Sequence, residues 1–83
     1  MSPTRLIINM QQILVNFSGN IDDLKEAVSF ANEISNFTIS KASMSKVNLA
    51  KRMLLTMIKN GKAPEDNIIK VINHLEDAKS LMY

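Results

Sequence analysis

Apolar residues recur at intervals of three or four along four separate stretches of the chain. This spacing places them on one side of an α-helix and leaves the polar residues on the other side. The pattern predicts four amphipathic helices, over residues 3–17, 21–36, 44–59 and 64–81. Because each apolar stripe must pack against another, we expect a compact all-α bundle that forms a single domain over residues 1–83.

Residues suited to helix ends stand close to the expected boundaries. Ser2 can cap the first helix, and Pro3 fits its first turn. Gly61 follows the third helix, where a left-handed cap is common, and Ser43 is the candidate cap at that helix's start. Residues 37–43 are rich in hydroxyl and β-branched side chains, which disfavour helix, so this segment is predicted to be a loop.

Several apolar residues lie beside the stripes rather than within them. They are Ile8, Val15, Phe30, Leu49, Leu55 and Ile69. A chain of 83 residues has a small core, so we expect a bound partner, or a second copy in a homodimer, to cover part of this surface. Apart from the initiator, the methionines are Met10, Met44, Met53, Met57 and Met82. They are expected to fill gaps in the core, and the alternative is a soft docking groove.

Composition narrows the class of protein. The chain has no cysteine, which excludes a disulfide scaffold and any thiolate metal site. Because small secreted domains usually need disulfides, we expect a cytoplasmic protein. No stretch resembles a signal peptide or a membrane span of about 20 apolar residues, so membrane insertion is not expected. The abundance of isoleucine, asparagine, lysine and serine is typical of AT-rich phage and bacterial genes.

The sequence offers little catalytic chemistry. Its one histidine, His74, would share a helix surface with Lys70 and Asp77. A histidine beside a carboxylate can orient a base, but no nucleophile is fixed near this pair, and a zinc site needs more ligands. Two glycines cannot build a phosphate-binding loop. We therefore expect no enzymatic activity, no cofactor and no metal.

Charge is distributed unevenly along the chain. Residues 41–62 hold six basic residues and no acidic one, whereas the segments before and after them are net acidic. Solvated helix faces explain such a pattern in many proteins, but a basic helix also suits an acidic partner. The predicted partner-binding residues are Phe37 and Ile39 as apolar anchors, with Lys46, Lys51, Arg52 and Lys62 as steering charges.

A nucleic acid is the alternative partner for the third helix. Asparagine and arginine can contact base edges, and lysine neutralises phosphate. The candidate contact residues are Ser45, Lys46, Asn48, Lys51 and Arg52. The isoelectric point near 9.1 agrees with this hypothesis, whereas the acidic flanking helices oppose it.

Two resemblances to known families concern helical patterns. Residues 60–76 contain a glycine turn followed by Asn67-Ile68-Ile69 and Leu75-Glu76, and they resemble small enterobacterial connector proteins of the biofilm-regulator type. The order of the four helices is similar to that of immunity proteins against pediocin-like bacteriocins, so an immunity-like bundle is a further alternative. Neither resemblance assigns a functional residue. The leading hypothesis is a small regulator, inhibitor or adaptor that binds another protein.

Overall fold

Four helices account for most of the chain. The computed structural model describes residues 2–82. Its helices are α1 (Pro3–Val15), α2 (Ile21–Ile34), α3 (Lys41–Asn60) and α4 (Glu65–Ser80), and no strand occurs within that range. They form a bundle of 33 × 21 × 20 Å. The predicted all-α bundle is confirmed.

The helices form a ring in which each contacts two neighbours. α1 packs on α2, α2 on α3, α3 on α4, and α4 closes the ring on α1, while diagonal helices do not approach each other. Thr4 lies beside Met82, and Gln11 lies beside Ile72, so α1 and α4 are antiparallel. The turns at 16–20 and 61–64 therefore share one end of the bundle, here called the double-turn end. The segment 35–40 lies at the opposite end, where the Ser40 hydroxyl donates a hydrogen bond to the Leu81 carbonyl.

The predicted stripes build the core. Each helix turns its regularly spaced aliphatic residues inward, because this buries apolar surface that water would otherwise contact. The fully buried side chains include Leu6, Ile7, Met10, Leu14, Leu24, Ile34, Val47, Leu54, Val71 and Leu75. No buried side-chain nitrogen or oxygen lacks a hydrogen-bond partner in residues 2–82.

The start of α3 differs from the prediction. The helix begins at Lys41, three residues before the expected start, and its cap is Ser40 rather than Ser43. The Ser40 hydroxyl accepts a hydrogen bond from the Ser43 amide at 3.1 Å. Ser43 is instead fully buried, and its hydroxyl donates to the Ala78 carbonyl at 2.7 Å. Lys41 and Ala42 are themselves good helix formers, and the Ser40 cap together with the hydrogen bond from Ser43 to α4 fixes the earlier start.

α1 and α2 begin at the predicted residues, 3 and 21, and the remaining boundaries differ by one or two residues. α1 and α2 each end two residues early, at Val15 and Ile34. Pro64 is the cap of α4 rather than its first residue, while Gly61 takes the expected left-handed conformation after α3, with φ +68°. None of the helices within residues 2–82 is both long enough and apolar enough to cross a lipid bilayer.

Candidate functional site

The outer face of α3 is basic. Val47, Ala50 and Leu54 fix the inward side of the helix, so residues half a turn away point to solvent. The solvent-exposed residues along this face are Lys41, Ser45, Asn48, Arg52, Leu55 and Lys59. They include three cations and no acid, because no acidic residue occurs between Glu33 and Glu65.

Two shallow grooves flank Arg52. The first, here called the polar groove, has a volume of about 500 Å³ and is lined by Ser45, Asn48, Lys51, Arg52 and Leu55. The second, here called the methionine groove, lies between α3 and α4. It has a volume of about 350 Å³ and is lined by Leu49, Arg52, Met53, Thr56, Met57 and Asn67. Arg52 lines both grooves and therefore stands on the ridge between them.

The basic residues of α3 differ in their electrostatic surroundings. Lys46 lies on the flank that faces α4, where its Nζ is 3.6 Å from the Asp77 carboxylate. Lys51 and Arg52 form no ion pair with any residue of the described part of the chain. Their charge is therefore available to an external anion, whereas that of Lys46 is partly neutralised by its own neighbour.

The structure divides the predicted partner-binding residues among three places. Phe37 and Ile39 lie near one end of α3, and Lys62 lies beyond the other. A helix of 20 residues is about 30 Å long, so Phe37 and Lys62 lie about this distance apart. Ile39 is half-buried against the core, which leaves little of it for an external contact. Lys51 and Arg52 remain together beside the polar groove.

The alternative nucleic-acid set is also divided. Ser45, Asn48 and Arg52 follow one exposed line along α3. Lys46 points to the α4 side, as its pairing with Asp77 shows. Lys51, five residues along, lies on the opposite flank of the helix.

Sequence reasoning identified apolar residues of this surface but not the groove that they line. Leu49 was expected beside the buried stripe, and the methionines, Met53 among them, were expected in the core or in a docking groove; both residues are half-buried and line the methionine groove. Leu55, one of the residues beside the stripes, is 44% exposed at the edge of the polar groove. The available signal was the angle around the helix, since Leu49 and Leu55 lie more than a quarter-turn from the centre of the buried stripe.

Residues 2–82 contain no cluster of three or more histidine, aspartate or glutamate side chains that could hold a metal ion. His74, the histidine considered for catalysis, is a half-buried residue of α4.

Comparison with protein families, with curated proteins and with solved structures finds no match to this chain.

Proposed function

We propose that this chain is a non-enzymatic binding module that docks on an acidic helix of another protein through the outer face of α3. The observation that supports this most directly is the position of Arg52 between two grooves, with exposed Leu55 beside it. Arginine surrounded by aliphatic and methionine side chains is typical of the energetic centre of a protein interface. A role as regulator, inhibitor or adaptor in the cytoplasm belongs to the same proposal.

Charge complementarity favours an acidic partner. Lys41, Lys51, Arg52 and Lys59 form no ion pair within the described residues, and no acidic residue lies on the outer face of α3. An acidic surface that approaches this face gains attraction at long range and meets no repelling carboxylate.

The apolar lining favours a protein over a nucleic acid. Leu49 and Met53 line the methionine groove, and Leu55 edges the polar groove. A phosphate backbone offers nothing apolar to such side chains, whereas the aliphatic face of an amphipathic helix fits a groove of this kind.

Nuclear magnetic resonance with two synthetic peptides tests the proposal. Both peptides are amphipathic helices with leucines on one side, and the opposite side carries glutamates in one and lysines in the other. We expect the glutamate peptide to shift the amide signals of residues 45–56 and the lysine peptide to leave them unchanged. The double change Lys51→Ala and Arg52→Ala should weaken binding about tenfold, because two charges at the contact are lost. Lys70→Ala, an exposed lysine of α4, is the matched control.

Equal shifts with both peptides, or shifts confined to other helices, would show the proposal to be wrong. A labelled mixed-sequence DNA duplex provides the competing test. Binding that weakens with salt at a slope equivalent to several phosphates would favour the nucleic-acid alternative.

A further inference from the structure

A groove between α1 and α2 is acidic, in contrast to the outer face of α3. On each helix its lining residues are three or four positions apart, so they share the side that faces the neighbouring helix. Among the residues that the structure describes, the lining includes two acidic side chains and no basic one. This surface, here called the α1/α2 groove, has a volume of about 380 Å³ and is lined by Asn9, Gln12, Ile13, Asn16, Asp23, Glu26 and Phe30.

The groove changes character along its length. α1 and α2 are joined by the turn at 16–20 and pack side by side, so residues equally distant from that turn lie opposite each other. Asp23 therefore lies at the double-turn end, Glu26 lies in the middle beside Ile13, and Phe30 lies at the far end, about 10 Å from Asp23 along the helix. One half of the groove is acidic and the other half is apolar.

Neither acidic residue of the groove is neutralised by its own chain. No cation of residues 2–82 lies within ion-pair distance of Asp23 or Glu26, whereas the adjacent Asp22 is paired with Lys25 at 3.6 Å. Asp23 is half-buried, so its charge is screened less than that of an exposed carboxylate. Because the two carboxylates share one helix face, they also repel each other. A cation between them is attracted by both and relieves this repulsion.

We infer that the α1/α2 groove binds an arginine side chain presented by a partner protein. In this arrangement the guanidinium group lies between Asp23 and Glu26, where its five N–H donors can reach both carboxylates. The aliphatic stem of the arginine lies along Ile13 and Phe30, which are both half-buried against the core and offer an apolar surface to it. The two halves of the groove thus match the two parts of one side chain.

The lining favours arginine over other cations. Guanidinium is planar and holds its donors in a fixed fork, so it can bond to a carboxylate and to a side-chain oxygen of Gln12 or Asn16 at the same time. The ammonium group of lysine is a compact point charge without this geometry. A bare metal ion would leave the apolar half of the groove without a contact.

The openness of the groove favours a protein over a small molecule as the source of the arginine. Gln12, Asn16 and Glu26 are exposed to solvent, so a small ligand on them would keep much of its own surface in water. Small-molecule sites usually cover at least about 70% of the ligand. A protein that presents the arginine can cover the exposed rim of the groove with its neighbouring residues.

This contact does not rest on the function proposed above, because none of its residues belongs to α3. The whole chain has a net charge of +2, which repels a basic partner at long range. Attraction of an arginine therefore comes from the local charge of the α1/α2 groove, so it is lost when that local charge is removed.

Nuclear magnetic resonance with three short peptides tests this inference. The peptides share one glycine-serine sequence and differ at a single position, which is arginine, lysine or citrulline. Citrulline has nearly the shape of arginine but carries no charge. We expect the arginine peptide to shift the amide signals of residues 9–16 and 23–30 and to bind about threefold more tightly than the lysine peptide. The citrulline peptide should leave these signals unchanged.

A pair of isosteric changes removes the charge of the groove and keeps its shape. Asp23→Asn combined with Glu26→Gln should weaken binding of the arginine peptide at least about tenfold. Glu65→Gln combined with Asp66→Asn is the matched control, because it removes the same charge at two exposed residues of α4. The control should change binding by less than about twofold.

Absence of binding by the arginine peptide would overturn the inference, and so would equal binding by the citrulline peptide or shifts confined to α3. Self-association of the wild-type chain that is lost both in Arg52→Ala and in the Asp23→Asn, Glu26→Gln variant would show that a second copy supplies the arginine, and would also overturn it. Circular dichroism checks that each variant is folded. The comparison of arginine with citrulline on the wild-type chain decides the question even if a variant does not fold.

Discussion

The outer face of α3 and the α1/α2 groove expose opposite charges on the same bundle. Arg52 dominates the first, on a ridge whose neighbours are basic, polar and in part apolar. Asp23 and Glu26 dominate the second, in a groove whose other half is apolar. The first surface suits an acidic partner and the second suits a basic one, so one small bundle can keep two contacts separate by giving each a different sign of charge.

Neighbouring residues in the sequence show how sharply each helix divides inside from outside. Leu54 is fully buried and Leu55 is 44% exposed. Ile68 is buried, and Ile69 is 47% exposed. A step of one residue turns the side chain by about 100°, which is enough to move it from the core to the exposed surface.

The largest expected effect is a loss of stability when a residue on the core side of α3 is changed, compared with its neighbour on the outer face. Leu54→Ala should lower the free energy of unfolding by about 2–5 kcal/mol, because it removes buried methyl groups and leaves a cavity. Leu55→Ala should lower the free energy of unfolding by less than about 0.5 kcal/mol, and it should weaken binding of the glutamate peptide. Urea denaturation measures the stability of both variants, and the peptide titration measures binding. An equal loss of stability in the two variants would mean that Leu55 belongs to the core and not to the docking surface.

The second prediction concerns the bridge that Gln11 forms between α1 and α4. Gln11→Ala removes both hydrogen bonds that its side chain donates to α4, to the Ile72 carbonyl and to the Glu76 carboxylate, so it should lower the free energy of unfolding by about 1–2 kcal/mol. The adjacent exposed residue provides a matched control, since Gln12→Ala should change stability by less than about 0.5 kcal/mol. If the two variants unfolded at the same urea concentration, the bridge would contribute nothing to the closure of the ring.

Helical periodicity predicts the fold well because burial follows it directly. The four helices, their buried stripes and the Gly61 cap all follow from local pattern and residue type. The start of α3 does not, because the serines near it are weak helix formers and their roles depend on α4. Ser40 caps the helix, and Ser43 reaches the Ala78 carbonyl, which lies 35 residues away in sequence.

The candidate site was harder to predict than the fold. The sequence identifies the run of positive charge but not which cations pair within the chain. Lys46 meets Asp77 only because α3 and α4 are antiparallel neighbours. The methionine groove and the α1/α2 groove depend on how closely adjacent helices approach, a distance that periodicity does not contain.

The third prediction compares how binding at each of the two surfaces depends on salt concentration. Raising the ionic strength from 0.1 to 1 M shortens the screening length from about 10 to 3 Å, so binding of the glutamate peptide to α3 should weaken about fivefold. Binding of the arginine peptide to the α1/α2 groove should weaken less than about twofold over the same range, because a partly buried ion pair is screened less. Titrations of both peptides in the same buffers measure this. Equal salt dependence for the two would mean that the arginine stays in solvent and does not enter the groove.

The smallest expected effect lies at Glu76, where the Gln11 bridge meets the solvent. The hydrogen bond from Lys79, which has the larger effect, and the hydrogen bond from Gln11 hold the pKa of the Glu76 carboxyl below its ordinary value of 4.5. A carboxyl with a lowered pKa in the folded state stabilises the protein above its unfolded pKa, and this contribution is lost as the pH falls through the folded pKa. The stability advantage of the wild type over Glu76→Gln should therefore be present at pH 6 and shrink toward pH 3. Urea denaturation at both pH values measures it, with Glu33→Gln, an exposed glutamate of α2, as the control. An advantage that stays constant with pH would mean that the charge of Glu76 does not help to close α4 on α1.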